Sequence, residues 1–404
     1  SEVGQDMAEN AFDLRTLTAS STQNDAPVVR LIQTVFEDAV RAEASDIHIE
    51  PDEHVLRIRR RIDGILHETT MDDTRIAPAV VSRLKLMAEA DISEKRLPQD
   101  GRFSLHVLDK NIDVRLATIP THTGEAVVMR LLDHGSAVRN LDQLGMPDEI
   151  LKRMLNIVHR PHGLILVTGP TGSGKTTTLY AAITELNKPQ KKIITVEDPV
   201  EYQLPRINQV QINNRINLDF ARVLRTALRL DPDIMLVGEM RDRETGEIAL
   251  RAALTGHLVL STLHTNDAVS TAMRLVDMGL ESYLVAASTQ AILAQRLIRK
   301  LCRNCRTSRQ LDASEQSWVR SLMGESASLD GFHQGAGCNQ CNHTGYHGRI
   351  GVYELLEIDY TLADALRRND PAGFENAARV QEGYRPLVEN ALDYARQGIT
   401  SLSE

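Results

Sequence analysis

No stretch of this 404-residue chain approaches the roughly 20 apolar residues that a helix needs to cross a bilayer, which excludes a helical membrane span. The opening residues, Ser1-Glu2-Val3-Gly4-Gln5-Asp6, have neither a basic start nor an apolar core and do not read as a signal peptide. They lack an initiator Met as well, and read as the edge of a longer protein. Positive charge is also in short supply: 46 Lys and Arg stand against 55 Asp and Glu, a net charge of −9. Coating nucleic acid rewards Lys and Arg through counterion release, so no nucleic-acid partner is expected. Cysteine is scarce too. All four form two close pairs, and without a secretion signal that pattern points to the cytoplasm and to metal rather than disulfides. No internal repeat is evident at a period of roughly 20 to 50 residues.

A hydrophobic fraction of 42% and a charged fraction of 25% fit a globular protein, and the length suggests two or three domains. Residues 1–25 are polar and read as a linker or the end of a further domain. Asn24 or Asp25 is expected to cap a helix with Pro27 in its first turn. Val28, Leu31, Ile32, Val35, Phe36, Ala39 and Val40 share one face of that helix. Ser45 to Glu50 alternates like a strand, as does Leu56 to Leu66, which is broken by an Asp63-Gly64 turn. Arg57, Arg59 and Arg61 form a stripe opposite Leu56, Ile58 and Ile62, either a solvated strand face or a contact to a partner. A helix over Ile76 to Ala90 and strands over Asn111–Ile119 and Glu125–Leu132 complete a small α+β domain at 26–135. A connection follows, placed at 136–147. From Gly163 onward apolar strands alternate with helices, which predicts an α/β domain at 148–404 with a parallel sheet covered on both faces.

Gly163 to Thr168 is a buried-strand run. It leads into Gly169-Pro170-Thr171-Gly172-Ser173-Gly174-Lys175-Thr176, which fits G-x-x-x-x-G-K-[ST], and from Thr177 the pattern is helical. Glycines let backbone N–H groups turn inward around phosphates, and the helix N-terminus adds positive dipole character. Lys175 is expected at the β/γ-phosphates of ATP and Thr176 at Mg²⁺.

Two further strands end in carboxylates, Glu197-Asp198 and Gly238-Glu239, at the sheet edge where α/β proteins bind ligands. Glu197 and Glu239 are both candidates for activating the attacking water, and Gly238 stands where an Asp is common. His257 and His264 flank a fourth strand, and both are candidates for sensing phosphate. Arg225, Arg229 and Arg241 follow the second carboxylate region or precede it closely. Arg115 and Arg130 lie in strands of the first domain. Any of these arginines could stabilise a transferring phosphoryl group or simply form surface ion pairs.

Cys302-Arg303-Asn304-Cys305 and Cys338-Asn339-Gln340-Cys341 offer the four thiolates of a tetrahedral Zn²⁺ site within a subdomain at 296–350. A redox pair is disfavoured, because neither C-x-x-C opens a helix after a strand in a small βαβ unit. Free reduced thiols are the remaining alternative.

In this order, the motifs resemble the type II secretion and type IV pilus assembly ATPases, the GspE/PilB-like branch of the secretion ATPases. The resemblance runs from Ala44-Ser45-Asp46-Ile47-His48-Ile49-Glu50 to Ala395-Arg396-Gln397-Gly398. It includes Arg96-Leu97-Pro98-Gln99-Asp100-Gly101-Arg102, Thr195 to Glu201, Gly238 to Asp242, Thr255 to His264 and Gly348-Arg349-Ile350-Gly351. It implies a RecA-like P-loop core, a preceding α+β domain of PAS-like type, a four-cysteine zinc insertion and a C-terminal helical region. It also implies a homo-hexamer with ATP between the two domains. Arg115, Arg130, Arg225, Arg229, Arg241 and Arg349 match positions that the family uses around the phosphates and the domain interface. The implied work is ATP-driven assembly of a type IV pilus or secretion pseudopilus through an inner-membrane platform protein. A further N-terminal domain in full-length members, outside this sequence, leaves pilus and secretion undecided. A pilus retraction motor and a DNA-translocating motor are the alternatives. Retraction-type relatives usually lack the cysteine pairs, and the acidic charge disfavours DNA.

Overall fold

The structure, a computed structural model, describes residues 12–13, 26–133 and 139–404. The expected cap at Asn24 or Asp25 and the start of the connection lie outside them. The chain divides into two units, Ser1–Ala137 and Val138–Glu404.

The first unit is a seven-stranded sheet with two helices on one face. Its strands are β1 (Phe12–Asp13), β2 (Asp46–Pro51), β3 (Leu56–Ile62), β4 (Ile65–Met71), β5 (Gln99–Val107), β6 (Lys110–Thr121) and β7 (Gly124–Asp133). Their order is β1-β5-β6-β7-β2-β3-β4, antiparallel throughout except for β1 against β5. Helices α1 (Ala26–Arg41) and α2 (Ala77–Met87) bury Ile32, Phe36, Ala39, Val80 and Leu84 against alternate strand residues such as Ile47, Ile49, Leu105 and Val114. This is period 3.6 meeting period 2. Phe36 meets Phe103 edge-on, with ring centroids 6.3 Å apart.

The arginine stripe on β3 is a face of ion pairs. Arg57 reaches Asp52 at 2.9 Å and Glu68 at 3.2 Å, Arg59 reaches Glu50 at 2.5 Å, and Arg61 lies 3.7 Å from Asp46. Strand β5 is an element that the sequence reading did not identify. Its alternation of Phe103, Leu105 and Val107 is masked by Asp100-Gly101. Gly101 is there because a Cβ would collide with the carbonyl of Ala88.

The second unit has a seven-stranded sheet built from β8 (Gly163–Thr168), β9 (Ile193–Glu197), β10 (Asn208–Gln211), β11 (Ile234–Val237), β12 (Leu258–Leu263), β13 (Thr289–Leu301) and β16 (Tyr346–Glu357), with β14 (Arg306–Ser308) and β15 (His333–Gly335) forming a separate small ladder. The order is β10-β9-β11-β12-β8-β13-β16. All neighbours are parallel except the last pair. Strand β8 is buried along its whole length, and its residues sort by parity. Leu164 and Leu166 join the core on one face, and Ile165 and Val167 the core on the other. That is why it reads as a continuous apolar run.

Helices α3 (Asp148–Val158) and α4 (Lys175–Leu186) cover one face. Helices α5 (Phe220–Ala227), α6 (Arg243–Leu254), α7 (Ala268–Asp277) and α8 (Ser282–Ser288) cover the other, joined by α10 (Tyr360–Arg367) and α11 (Pro371–Val380). Helix α9 (Ala313–Met323) lies between the cysteine pairs. Its Val319 packs with Phe332 against Leu392 and Ala395 of α12 (Leu387–Arg396). The cysteine region is not a body separate from the sheet. Its ends at 296–301 and 346–350 are the far halves of β13 and β16, paired with each other.

Candidate active site and cysteine cluster

Five parallel strands end on one edge of the second sheet, and β8 passes there into the glycine loop. Gly174 caps α4 with φ +87°, a left-handed conformation that favours glycine, and a Cβ there would sit 2.7 Å from Nε2 of Gln295. The loop is held from behind by that same glutamine, which is 2% exposed. Its Nε2 donates to the Ser173 carbonyl at 2.6 Å, and its Oε1 accepts from the Thr178 hydroxyl at 2.7 Å. Lys175 is buried, and its ammonium donates to the carbonyls of Gly169 (2.8 Å) and Pro170 (3.0 Å). Burial lowers its pKa, and the Glu239 carboxylate works in the opposite direction. Thr176 is exposed at the first turn of α4, as a hydroxyl must be to reach a metal ion beside bound phosphates. Thr177 follows it, half-buried.

His264 joins this group. Its Nδ1 lies 3.4 Å from the Lys175 ammonium and its Nε2 3.4 Å from the Glu239 carboxylate. Glu239 is also paired with Arg241, which lies 3.9 Å from Asp198. So Lys175, His264, Glu239 and Arg241 form one connected chain of charged and polar groups at the mouth of the glycine loop. Gly238 is small for a steric reason. A Cβ there would meet the Val196 carbonyl at 3.2 Å and the Glu197 Cα at 3.4 Å.

Glu197 has a different setting. It is 4% exposed and accepts hydrogen bonds from the Tyr180 hydroxyl, from the Thr195 hydroxyl at 2.5 Å and from Gln209 Nε2 at 3.3 Å. Burial pushes the Tyr180 hydroxyl's pKa up, and the adjoining carboxylate adds to that; the Tyr202 hydroxyl is pushed up to about 12 for the same two reasons.

His257 does not lie with His264. It precedes β12, its carbonyl accepts from Gly163 N–H at 3.0 Å at the opposite end of the sheet, and its Nδ1 lies 3.0 Å from the Ala252 carbonyl. Six residues of strand separate the two histidines, roughly 20 Å. Flanking a strand in sequence means opposite ends in space, so within one subunit His257 is not beside the glycine loop.

Arg225 is exposed and paired with Glu244, and Arg229 is exposed just beyond α5. Arg349 is an exposed β16 residue opposite Arg299. In the first unit, Arg115 stands between Arg102 and Arg130 in the β5-β6-β7 ladder. Nε of Arg130 donates to Asp46 at 3.1 Å.

Three residues of the site were not singled out from the sequence. Gln295 and Tyr180 sit inside apolar stretches as isolated polar side chains, a usable signal. Arg296 belongs to the run Arg296-Leu297-Ile298-Arg299-Lys300, which looks like a basic surface. Its Nη2 in fact donates to both the backbone oxygen and Oδ1 of Asn266 at 3.1 Å, close enough to Lys175 to disfavour that residue's charge.

The four cysteines are not bonded to one another, and their Sγ atoms all lie within 4.8 Å of each other. Cys302–Cys338, Cys305–Cys341 and Cys338–Cys341 are each 3.8 Å apart. Tetrahedral zinc with bonds of about 2.3 Å sets its sulfurs about 3.8 Å apart, so the cluster is compatible with zinc. At Cys341 burial opposes ionisation, but the backbone N–H groups of Cys338 and Gly345, each 3.2 Å away, together with the Cys338 and Cys305 side chains outweigh it, and the pKa falls to about 6. Cys305 is held up at about 11 by burial.

A strand–glycine loop–helix cradle on a parallel sheet layered by helices, with carboxylates at neighbouring strand ends, defines a P-loop ATPase with a RecA-like core. The family model described as "Type II/IV secretion system protein" matches residues 21–404. The chain is 48% identical over 388 residues to type II secretion system protein HxcR of Pseudomonas aeruginosa, covering 95% of this chain and 77% of that protein. It is 46% identical over 384 residues to type II secretion system ATPase E of Vibrio cholerae, covering 95% and 75%. Among solved structures, the pilus retraction motor PilT with bound ADP superposes with a TM-score of 0.62 at 28% identity, over 92% of this chain and 95% of that one. The chain belongs to the type II/IV secretion system protein family and is a GspE-like traffic ATPase. ATP and Mg²⁺ are what an ATPase of this family takes. No helix among the described residues is long and apolar enough to cross a membrane.

Proposed function

We propose that this chain is the ATP-driven motor of a type II secretion system or a closely related pilus-assembly machine. It works as a homo-hexamer at the cytoplasmic face of the inner membrane, on a platform protein that adds subunits to a filament. The observation that carries the proposal is the connected group Lys175, His264, Glu239 and Arg241 at the mouth of the glycine loop. In this reading residues 26–135 form the N-terminal domain and 148–404 the ATPase domain, with Cys302, Cys305, Cys338 and Cys341 holding a structural Zn²⁺.

The backbone N–H groups from Gly169 to Thr177 would hold the phosphates of ATP, with Lys175 at the β/γ-phosphates and Thr176 on the Mg²⁺ that accompanies them. Glu239 orients and deprotonates the attacking water, because its carboxylate stands with Lys175 and His264 at the open mouth. Glu197 holds α4 in place from behind. Arg115, Arg130, Arg225, Arg229, Arg241 and Arg349 are assigned to phosphate charge and to subunit contacts in the ring, and His257 to contacts away from its own subunit's glycine loop. Retraction is the second reading. The likeness to the retraction motor supports it less than the higher identity to the secretion relatives supports assembly. A DNA-translocating role has the acidic net charge against it. Replacing Lys175 by Ala tests the site: ATP turnover is expected to vanish, and wild-type turnover in a folded Lys175→Ala protein would refute the assignment.

A further inference from the structure

Glu354 lies on β16, is 2% exposed, and belongs to none of the nucleotide motifs. Its two oxygens accept three hydrogen bonds from two different parts of the second unit. Oε1 takes the Ala268 N–H at 2.8 Å and the Tyr384 hydroxyl at 3.0 Å, and Oε2 takes the Leu387 N–H at 3.0 Å. Ala268 and Leu387 are the first residues of α7 and α12, so one buried carboxylate sits at two helix N-termini, where unpaired N–H groups and the helix dipole favour an anion. Burial raises its pKa, and the three donors oppose that by favouring the ionised form. For α12 this carboxylate replaces the ordinary cap, since Pro386 offers no side-chain bond there.

The segment immediately before α7 is His264-Thr265-Asn266-Asp267. His264 is in the chain with Lys175 and Glu239. Thr265 donates its N–H to the Thr168 hydroxyl at 3.1 Å, at the last residue of β8 before the glycine loop. Asn266 is held by Arg296. Arg296 is paired with Val352 and Ala294 with Glu354, so Arg296 and Glu354 lie on the same face of the β13–β16 ladder, two residues apart in register. A cation holds Asn266 and an anion holds Ala268, and His264 to Ala268 spans five residues with one end on the ammonium of Lys175. The other side of Glu354 is the C-terminal region, through Tyr384 and α12.

We propose that Glu354 is a positioning residue that couples the C-terminal helices to the phosphate-facing segment His264–Ala268, so that the placement of His264 depends on how Tyr384 and α12 are seated. The proposal rests on the nucleotide-site reading above. It predicts a specific kinetic signature. A misplaced His264 costs the chemical step, whereas the glycine loop, fastened at Ser173 and Thr178 by Gln295, keeps its grip on nucleotide. A displacement of about 1 Å at a reacting centre lowers a rate by up to roughly a hundredfold.

The test uses the assembled protein and reads kcat for ATP, the Kd of a fluorescent ATP analogue and the thermal midpoint. Glu354→Gln keeps the shape but turns an amide N–H toward the Leu387 or Ala268 N–H, donor against donor. Its kcat is expected to fall about ten- to a hundredfold with Kd within about twofold of the parent. Tyr384→Phe removes one hydroxyl from the C-terminal side and is expected to lower kcat about threefold or more, again at unchanged Kd. It also keeps the question decidable should Glu354→Gln fail to fold. Parental kcat in either folded variant would overturn the coupling, and so would a parallel loss of kcat, nucleotide affinity and thermal midpoint, which is what a purely structural role gives. Lys175→Ala measured alongside separates the two ideas. Turnover surviving in Lys175→Ala sinks the nucleotide site itself, whereas an inactive Lys175→Ala with a fully active Glu354→Gln sinks only the coupling.

Discussion

Tyr180 on α4 donates its hydroxyl to the carboxylate of Glu197 at the end of β9, fastening the helix that begins with Lys175 to the strand beside it. The same carboxylate takes the Thr195 hydroxyl and Gln209 Nε2, so its lone pairs face protein donors. Glu239 faces instead the Lys175–His264 pair. Two glutamates that look equivalent in sequence therefore differ in what they touch.

The difference is measurable. Glu239→Gln is expected to lower kcat by about 10²-fold or more, the range for loss of a general base, with nucleotide affinity preserved. Glu197→Gln places an amide N–H among buried donors, so its main effect is on stability, on the order of 1–3 kcal/mol, with a smaller kinetic loss. Single-turnover ATPase assays and thermal melts on both variants check this. A larger kinetic loss at Glu197 with an unchanged melting point would exchange the two roles.

Much of this site is legible in the chain before folding is considered. The run from Gly163 to Thr176 announces strand, loop and helix because a strand buried on both faces has to be apolar throughout, and because a phosphate cradle needs glycine at specified places. The parts that were not legible are those decided by contacts far apart in sequence. Gln295 is 122 residues from the Ser173 carbonyl that it holds, and no local pattern signals that bond. The second half of β13 looks like a basic surface because it extends past the parallel strands to pair with β16. The distance between His257 and His264 was not legible either, because the length of the strand they flank puts one at each edge of the sheet.

Gln295 itself supports a prediction about binding rather than rate. Gln295→Ala leaves the buried Ser173 carbonyl and Thr178 hydroxyl without their partner, and frees Gly174 from the side chain it lies against. An unsatisfied buried polar group costs about 1–3 kcal/mol, so ATP affinity should weaken roughly ten- to a hundredfold. Titration with a fluorescent nucleotide reads it directly. Gln295→Glu should fail similarly, because a carboxylate has no N–H to give the Ser173 carbonyl. Unaltered affinity in both would mean the loop does not depend on this support.

The cysteine cluster predicts one zinc per chain in protein purified without chelator. N–H donors and the neighbouring thiols lower the pKa of Cys341, which favours the thiolate form that a metal ligand needs. Cys341→Ser should lose the metal and loosen the segment from Cys302 to Tyr346, whose packing onto α12 through Phe332 is small. Elemental analysis gives the stoichiometry, and limited proteolysis between the cysteine pairs reports the loosening. Metal-free protein with that segment still protease-resistant would remove zinc from the account.

Assembly is the remaining prediction, and it follows from where the arginines are. Arg225 and Arg229 are exposed, and Arg225 is paired to Glu244, also an exposed side chain, where solvent screens the attraction. Such weakly held cations are available to a neighbouring subunit, and an arginine placed on a transferring phosphoryl group raises a rate by roughly 10³ to 10⁵. Specific ATPase activity should therefore climb with protein concentration through the range in which sedimentation shows rings forming. Arg229→Ala should assemble at the same concentration yet turn over more slowly, whereas a ring-interface mutant should be slow only where it fails to assemble. Activity per chain that stays constant from monomer to ring would show that each subunit carries its complete site, and the arginines would then revert to surface charges.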